Sequence, residues 1–93
     1  MKYSNGMFAR SLAGHDKSKL YLISKIDEEY VYLVDGKIRT TDKPKKKRIK
    51  HIQIDYQIMG FIQDKLATEK KLTNEDIKRA IKLKEQKSKE KGN

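Results

Sequence analysis

The chain has 93 residues, enough for one domain with a small hydrophobic core. Its 23 Lys and Arg outnumber its 13 Asp and Glu, and the net charge of +10 favours a polyanionic partner such as nucleic acid. Cysteine is absent, which excludes disulfides and cysteine-based metal sites, and no apolar run approaches the roughly 18 residues of a membrane-spanning helix. We therefore expect a cytoplasmic protein with no membrane partner.

Residues 1–54 predict a mainly β unit. Runs of aromatic and branched side chains alternate with turn residues, and no helical spacing intervenes. Asp35-Gly36 is typical of a two-residue type I′ hairpin, because both central positions of that turn need a positive φ. The predicted strands are residues 6–12, 20–26, 30–34, 37–41 and 48–54. Short strands at this spacing indicate a small antiparallel five-stranded barrel.

A basic run lies between the last two predicted strands. It spans residues 43–51, of which six are Lys or Arg and none is acidic. Pro44 has no N–H to donate to a strand ladder, so residues 42–47 are predicted to form a loop or an edge strand rather than a central strand. A run of like charges is often only a solvated loop, but this density of charge favours contact with phosphates.

The remaining residues predict one or two short helices that cover the barrel. Residues 56–67 have apolar side chains at helical spacing, with Asp55 as the expected cap. Thr73 is the expected N-cap of the second helix, with Asp76 completing a capping box and Leu72 and Ile77 spaced as a hydrophobic staple. We therefore expect a barrel over 1–54, a helical extension over 55–86 and a disordered tail over 87–93, where apolar residues are absent. The extension could instead dock a partner helix.

Part of the chain resembles a known motif. A strand, the residues AGHDKSK at 13–19 and an apolar strand over 20–26 are similar to a KOW motif. With the basic run, residues 5–54 resemble the small bacterial KOW-domain RNA-binding proteins, relatives of archaeal and eukaryotic large-subunit ribosomal proteins. Gly14 matches the motif glycine, whereas Ser18 stands where the family often has glycine. The resemblance implies an SH3-like barrel that binds RNA through its loops.

The resemblance also implies that the loop over 14–19 and the basic run share one rim of the barrel. If about six cations there neutralise phosphates, the logarithm of the affinity should fall with the logarithm of salt at a slope of roughly −4 to −5. Tyr21, Tyr30, Tyr32 and His51 are candidates for stacking on bases, although core positions are the simpler expectation for tyrosines. The candidate RNA-binding residues are Arg10, Gly14, His15, Lys17, Lys19, Lys43, Lys45, Lys46, Lys47, Arg48, Lys50 and His51.

Two functions follow from the charge pattern and the resemblance, and the ribosomal setting of the first is what the resemblance implies. The first is an RNA-binding module, bound to ribosomal RNA and associated with the ribosome, with ribosomal proteins as further candidate partners. The second is an SH3-like adaptor in translation or transcription, whose basic face meets an acidic protein surface. No Ser/His/Asp spacing, phosphate-binding Gly-rich loop or metal-ligand spacing is present in the sequence, so we expect no enzymatic activity, cofactor, metal or small-molecule substrate.

Overall fold

A five-stranded antiparallel sheet with two C-terminal helices forms the described part of the chain, which in this computed structural model is residues 4–91. The strands follow one another in the order β4-β3-β2-β1-β5 across the sheet. The mainly β class with a helical extension is therefore confirmed. The elements are β1 (Phe8–Ser11), β2 (Leu20–Ile26), β3 (Tyr30–Val34), β4 (Lys45–Arg48), a 3-10 turn (Ile49–His51), β5 (Ile52–Asp55), α1 (Gly60–Ala67) and α2 (Asn74–Lys91).

The sheet buries apolar side chains on both of its faces, which explains the nearly continuous apolar runs of β2 and β3. One face, the helix face, packs against α1 and α2 through Phe8, Leu20, Leu22, Val34, Ile62, Ile77 and Ala80. The opposite face, the inner face, buries Ala9, Tyr21, Ile23, Val31, Leu33 and Ile52. This second cluster joins β3 to β5 although β1 and β2 lie between them in the sheet, so the sheet curves around it.

The predicted capping box at the start of α2 is confirmed. The Thr73 N–H donates to Asp76 Oδ2 at 3.0 Å, and the Asp76 N–H donates to Thr73 Oγ1 at 3.1 Å. Leu72 packs against the cluster that contains Ile77, as the staple requires. The start of α1 differs, because the helix begins at Gly60 and the Asp55 carboxylate accepts instead from the Gln57 N–H at 3.1 Å.

The predicted hairpin at Asp35-Gly36 and the strand over 37–41 are wrong. Asp35 is buried, and its Oδ1 accepts from the N–H groups of Lys37 and Arg39, both at 2.9 Å. These bonds draw the chain into a compact loop in place of a strand ladder. Gly36, at φ +80°, lies so close to α2 that an added Cβ would be 2.5 Å from the Asn74 carbonyl oxygen. The place beside β3 is taken by β4, where Val31 pairs with Lys47.

The boundary expected at residue 87 also differs from the structure. Helix α2 extends to Lys91, because residues 84–91 contain no Gly or Pro and are mostly Lys, Glu and Gln, which favour helix even without an apolar face. The last part of the predicted tail, 92–93, lies outside the described residues. Neither α1 nor α2 has the length and apolar character that a membrane-crossing helix needs.

Candidate nucleic-acid interface

Strand β4 divides the basic run between the two faces of the sheet. Lys45 pairs with Leu33 and Lys47 with Val31, so both lysines are on the inner face. Lys46 and Arg48 alternate with them and are exposed on the opposite side. Of the two predictions for residues 42–47, the edge strand is therefore correct for residues 45–47, because β4 is the first strand of the sheet.

The two inner lysines converge on a single carboxylate. Asp16 Oδ2 accepts from Lys45 Nζ at 2.8 Å, and Asp16 Oδ1 accepts from Lys47 Nζ at 3.0 Å. Ser11 Oγ and the Tyr21 hydroxyl complete the carboxylate's partners, each donating at 2.9 Å. Lys47 Nζ also donates to Ser11 Oγ at 2.6 Å and to the Ala13 carbonyl at 2.8 Å. We name Ser11, Asp16, Tyr21, Lys45 and Lys47 the Asp16 cluster.

Burial shapes the protonation of the Asp16 cluster. The side chains of Asp16 and Lys47 are each only 11% exposed. Burial alone would raise the pKa of the Asp16 carboxyl, but the hydrogen bonds from Lys45, Lys47, Ser11 and Tyr21 outweigh it and hold that pKa well below its usual range. Burial, followed by the bond to Asp16, raises the pKa of the Tyr21 hydroxyl. Tyr21 is only 2% exposed and belongs to the buried cluster on the inner face, so it is a core residue and its candidacy as a stacking ring is wrong.

The Asp16 cluster joins the loop over 14–19 to the basic run. That these two segments lie together was suggested only by the resemblance. Two hydrogen bonds hold the backbone of that loop at Ser18, whose N–H donates to the Ser11 carbonyl at 2.7 Å and whose carbonyl accepts from Arg10 Nη1 at 2.8 Å. Gly14 has φ +87°, which a glycine adopts readily. Ser18 has φ +74°, so a serine occupies the left-handed conformation that the family's glycine would suit.

A strip of exposed cations and partly exposed aromatic rings lies at the end of the helix face that α1 and α2 do not cover. We name Lys25, Tyr30, Tyr32, Lys46 and Arg48 the tyrosine strip. Tyr32 pairs with Lys25 on one side and Lys46 on the other, while Tyr30 pairs with Arg48. Lys46 Nζ lies 4.3 Å from the centre of the Tyr30 ring, Arg48 Cζ lies 5.4 Å from the same centre, and Lys25 Nζ lies 5.5 Å from that of Tyr32.

Lys25 is not among the residues predicted from the sequence, because an irregularity in β2 turns it onto this face. The pairing of β2 with β3 shifts between Ile23 and Lys25, leaving Ser24 as the additional residue, and Ser24 Oγ donates to the Tyr32 carbonyl at 3.1 Å. In a regular strand Lys25 would share the face of Ile23. The available signal was the order Ile23-Ser24-Lys25-Ile26, which breaks the alternation of apolar and polar side chains.

The remaining candidate residues are spread over the surface. Lys19 pairs with Asp35 at 2.7 Å. Burial would raise the pKa of the Asp35 carboxyl, but the bond from Lys19 and the N–H groups of Lys37 and Arg39 outweigh it. The pKa of Asp35 is therefore lowered. His51 is partly buried, and its carbonyl accepts from the Leu12 N–H at 2.8 Å. The exposed candidates beyond the strip are Gly14, His15, Lys17, Lys43 and Lys50.

Comparisons with protein families and with curated proteins identify no relative. No protein-family model matches the chain. No curated protein matches it either. Among residues 4–91, no group of three or more His, Cys, Asp or Glu side chains is placed to hold a metal ion. The function has to be inferred from the geometry and charge of the chain's own residues.

Proposed function

We propose that this protein is an RNA-binding module that acts without enzymatic chemistry. The observation that carries the proposal is the exposure of Lys46 and Arg48 on an edge strand beside Tyr30. Within the described part of the chain, no carboxylate lies within ion-pair distance of either cation. Exposed cations that alternate with aromatic rings suit a ligand that combines phosphates with bases.

The proposed fold type is an SH3-like barrel of the KOW kind. Three observations support it: the curvature of the sheet around the inner cluster, the 3-10 turn that links the two edge strands β4 and β5, and Gly14 in a left-handed conformation. Together with the resemblance of residues 5–54, they make ribosomal RNA the proposed target. Ribosomal proteins are then the proposed neighbours, and the cytoplasm is the proposed location.

The proposed mechanism is electrostatic capture by part of the basic run only. Lys45 and Lys47 are bound to Asp16, so four of the run's six Lys and Arg residues remain for phosphates, namely Lys43, Lys46, Arg48 and Lys50. Four phosphate contacts give a salt slope of about −3 to −4, shallower than the roughly −4 to −5 that the sequence suggests. Contacts of this kind hold the RNA in place without reading its sequence.

The test replaces the two outward cations and compares that variant with one that loses the same charge elsewhere. Lys46→Gln with Arg48→Gln should weaken binding of a labelled RNA stem-loop about tenfold at low salt and reduce the salt slope by about 1.5. The matched control is Lys70→Gln with Lys71→Gln, two exposed lysines that follow α1. Fluorescence anisotropy over a salt series measures both quantities. Equal losses in the two variants, or no binding by the unchanged protein, would contradict the proposal.

A second experiment separates RNA binding from the adaptor function. The tagged protein is purified from cells with and without nuclease treatment. Loss of its partners after nuclease supports RNA binding, whereas a protein partner that survives nuclease supports an adaptor. Crosslinking in cells followed by sequencing of the bound RNA then tests ribosomal RNA as the target, and reads spread evenly over cellular RNA would contradict that target.

A further inference from the structure

The tyrosines of the strip lie outside the hydrophobic core. Tyr30 and Tyr32 are both partly exposed, and neither belongs to the cluster on the helix face or to the cluster on the inner face. Val34, the next residue of β3 on the same face, is fully buried under the helices. The cover therefore ends between Val34 and Tyr32, and the two rings are left to be covered by something else.

Cations occupy the surroundings of these rings. Lys46 Nζ lies 4.3 Å from the centre of the Tyr30 ring, and Lys25 Nζ lies 5.5 Å from that of Tyr32. A cation over an exposed ring is held weakly, whereas a nucleobase stacked on the same ring is held more strongly and brings its own phosphate to the displaced cation. The ring gains a base in place of the cation, and the displaced cation gains a phosphate. Both changes favour a bound nucleotide over the cation–ring contacts of the free protein.

The spacing of the rings selects the kind of RNA. Residues two apart on a strand are separated by about 7 Å along it. Stacked bases in one strand of a duplex are only about 3.4 Å apart. Two neighbouring bases cannot therefore each lie on a tyrosine while remaining stacked on one another. Bases that reach these rings have to be unpaired and separated, as they are in single strands, loops and bulges.

We propose that Tyr30 and Tyr32 form a stacking site for two unpaired bases of single-stranded RNA, with Lys25, Lys46 and Arg48 holding the flanking phosphates. This inference rests on the proposed function and adds the class of RNA that the site takes. Tyr30 and Tyr32 bind the bases by their ring faces, which any base satisfies, so the site favours unpaired over paired RNA and has little preference for sequence.

The test compares three probes on the unchanged protein: a short single-stranded RNA, a duplex of the same sequence, and a strand with the same number of phosphates but no bases. The base-containing single strand should bind at least tenfold more tightly than the strand without bases, and more tightly than the duplex. The chain has no tryptophan, so its intrinsic fluorescence comes from its five tyrosines and should be quenched by the base-containing strand only. Equal affinity for the strands with and without bases would overturn the stacking site and leave phosphate capture standing. Failure to bind any of the three would overturn the proposed function itself.

Variants then assign the effect to the two rings. Tyr30→Leu with Tyr32→Leu should reduce affinity for the base-containing strand about tenfold while leaving affinity for the strand without bases unchanged. Tyr30→Phe with Tyr32→Phe should lose less affinity for the base-containing strand than the double Leu variant, because the ring faces remain. Tyr56→Leu is the matched control, since Tyr56 is 46% exposed and follows β5 at the opposite edge of the sheet. The same loss in the control as in the double Leu variant would overturn the assignment.

Discussion

Lys46 and Lys47 are neighbours in the chain with identical side chains, yet their surroundings differ in every respect. Lys47 is 11% exposed and donates three hydrogen bonds, to Ser11, Ala13 and Asp16. Lys46 is exposed, and the contact found for it is the ring of Tyr30. Strand alternation thus divides the four basic residues of β4 into two structural lysines and two cations that are available to a ligand.

The comparison explains why the inner lysines are unsuited to binding phosphate. A buried carboxylate needs its partners, and removing one partner of a buried pair leaves an uncompensated charge. If Lys45 and Lys47 turned outward, Asp16 would remain buried with only two hydroxyl donors. The net charge of a segment therefore overstates the charge that it offers to a ligand.

The largest expected effect comes from removing the carboxylate that holds the inner lysines. Asp16→Asn should lower the free energy of unfolding by about 3 kcal/mol, because it leaves two inward ammonium groups without a counter-charge. Urea denaturation measures the loss. The control is Glu28→Gln, an exposed residue in the turn between β2 and β3, which should change stability by less than about 0.5 kcal/mol. Equal stability of the two variants would refute the structural role of Asp16.

The same substitution at the two neighbouring lysines tests the comparison directly. Lys47→Met should cost about 2 kcal/mol of stability, less than the loss of Asp16, because Lys45 and the two hydroxyls still bind the carboxylate. Lys46→Met should cost no more than about 0.5 kcal/mol, the value of an exposed cation over a ring. RNA affinity should fall in the reverse order, with the larger loss at Lys46. Urea denaturation measures the stability of both variants, and anisotropy measures their RNA affinity. If the same variant showed the larger loss in both measurements, the division of β4 into inner and outer residues would be contradicted.

The sequence predicts those parts of the fold that local residues determine. Aromatic and branched runs give the correct bounds of β2 and β3, and the capping box at Thr73 and Asp76 marks the start of α2. The loop over 35–44 could not be predicted, because its conformation depends on a buried Asp35 and on the approach of Gly36 to α2, which is distant in the chain. Local turn propensity was overridden by tertiary contacts.

The candidate site was predictable only as a region. Charge density locates the basic run, but which lysines point outward depends on the strand pairing of β4, and the pairing is a property of the whole sheet. The role of Asp16 was hidden for the same reason, since its partners Lys45 and Lys47 lie 29 and 31 residues further along the chain. The face on which Lys25 lies could not be predicted, because it depends on the irregularity at Ser24.

Acid should weaken the protein through Asp16, and the comparison with Asp16→Asn isolates that contribution. The pKa of Asp16 is held well below its usual range in the folded protein, so on acidification the unfolded chain takes up the proton first, near pH 4. The stabilisation is complete above that pH and declines as pH falls toward the folded pKa. Between pH 6 and pH 3 the difference in unfolding free energy between the unchanged protein and the variant should shrink by about 1.3 kcal/mol. Urea denaturation across this range tests it, and a constant difference would contradict the lowered pKa.

The smallest expected effect concerns the loop that carries Asp16. Ser18 has φ +74°, a conformation that costs a residue with a Cβ roughly 1 to 2 kcal/mol, while glycine adopts it readily but loses more chain entropy on folding. Ser18→Gly should therefore raise the free energy of unfolding by about 0.5 kcal/mol, which urea denaturation detects. Ser18→Ala is the control, because it keeps the Cβ and should bring no gain. The outer half of β4 is unchanged in both variants, so RNA affinity should stay the same. A loss of stability in Ser18→Gly would contradict this prediction and would mean that the chain entropy lost by glycine exceeds the strain that it relieves.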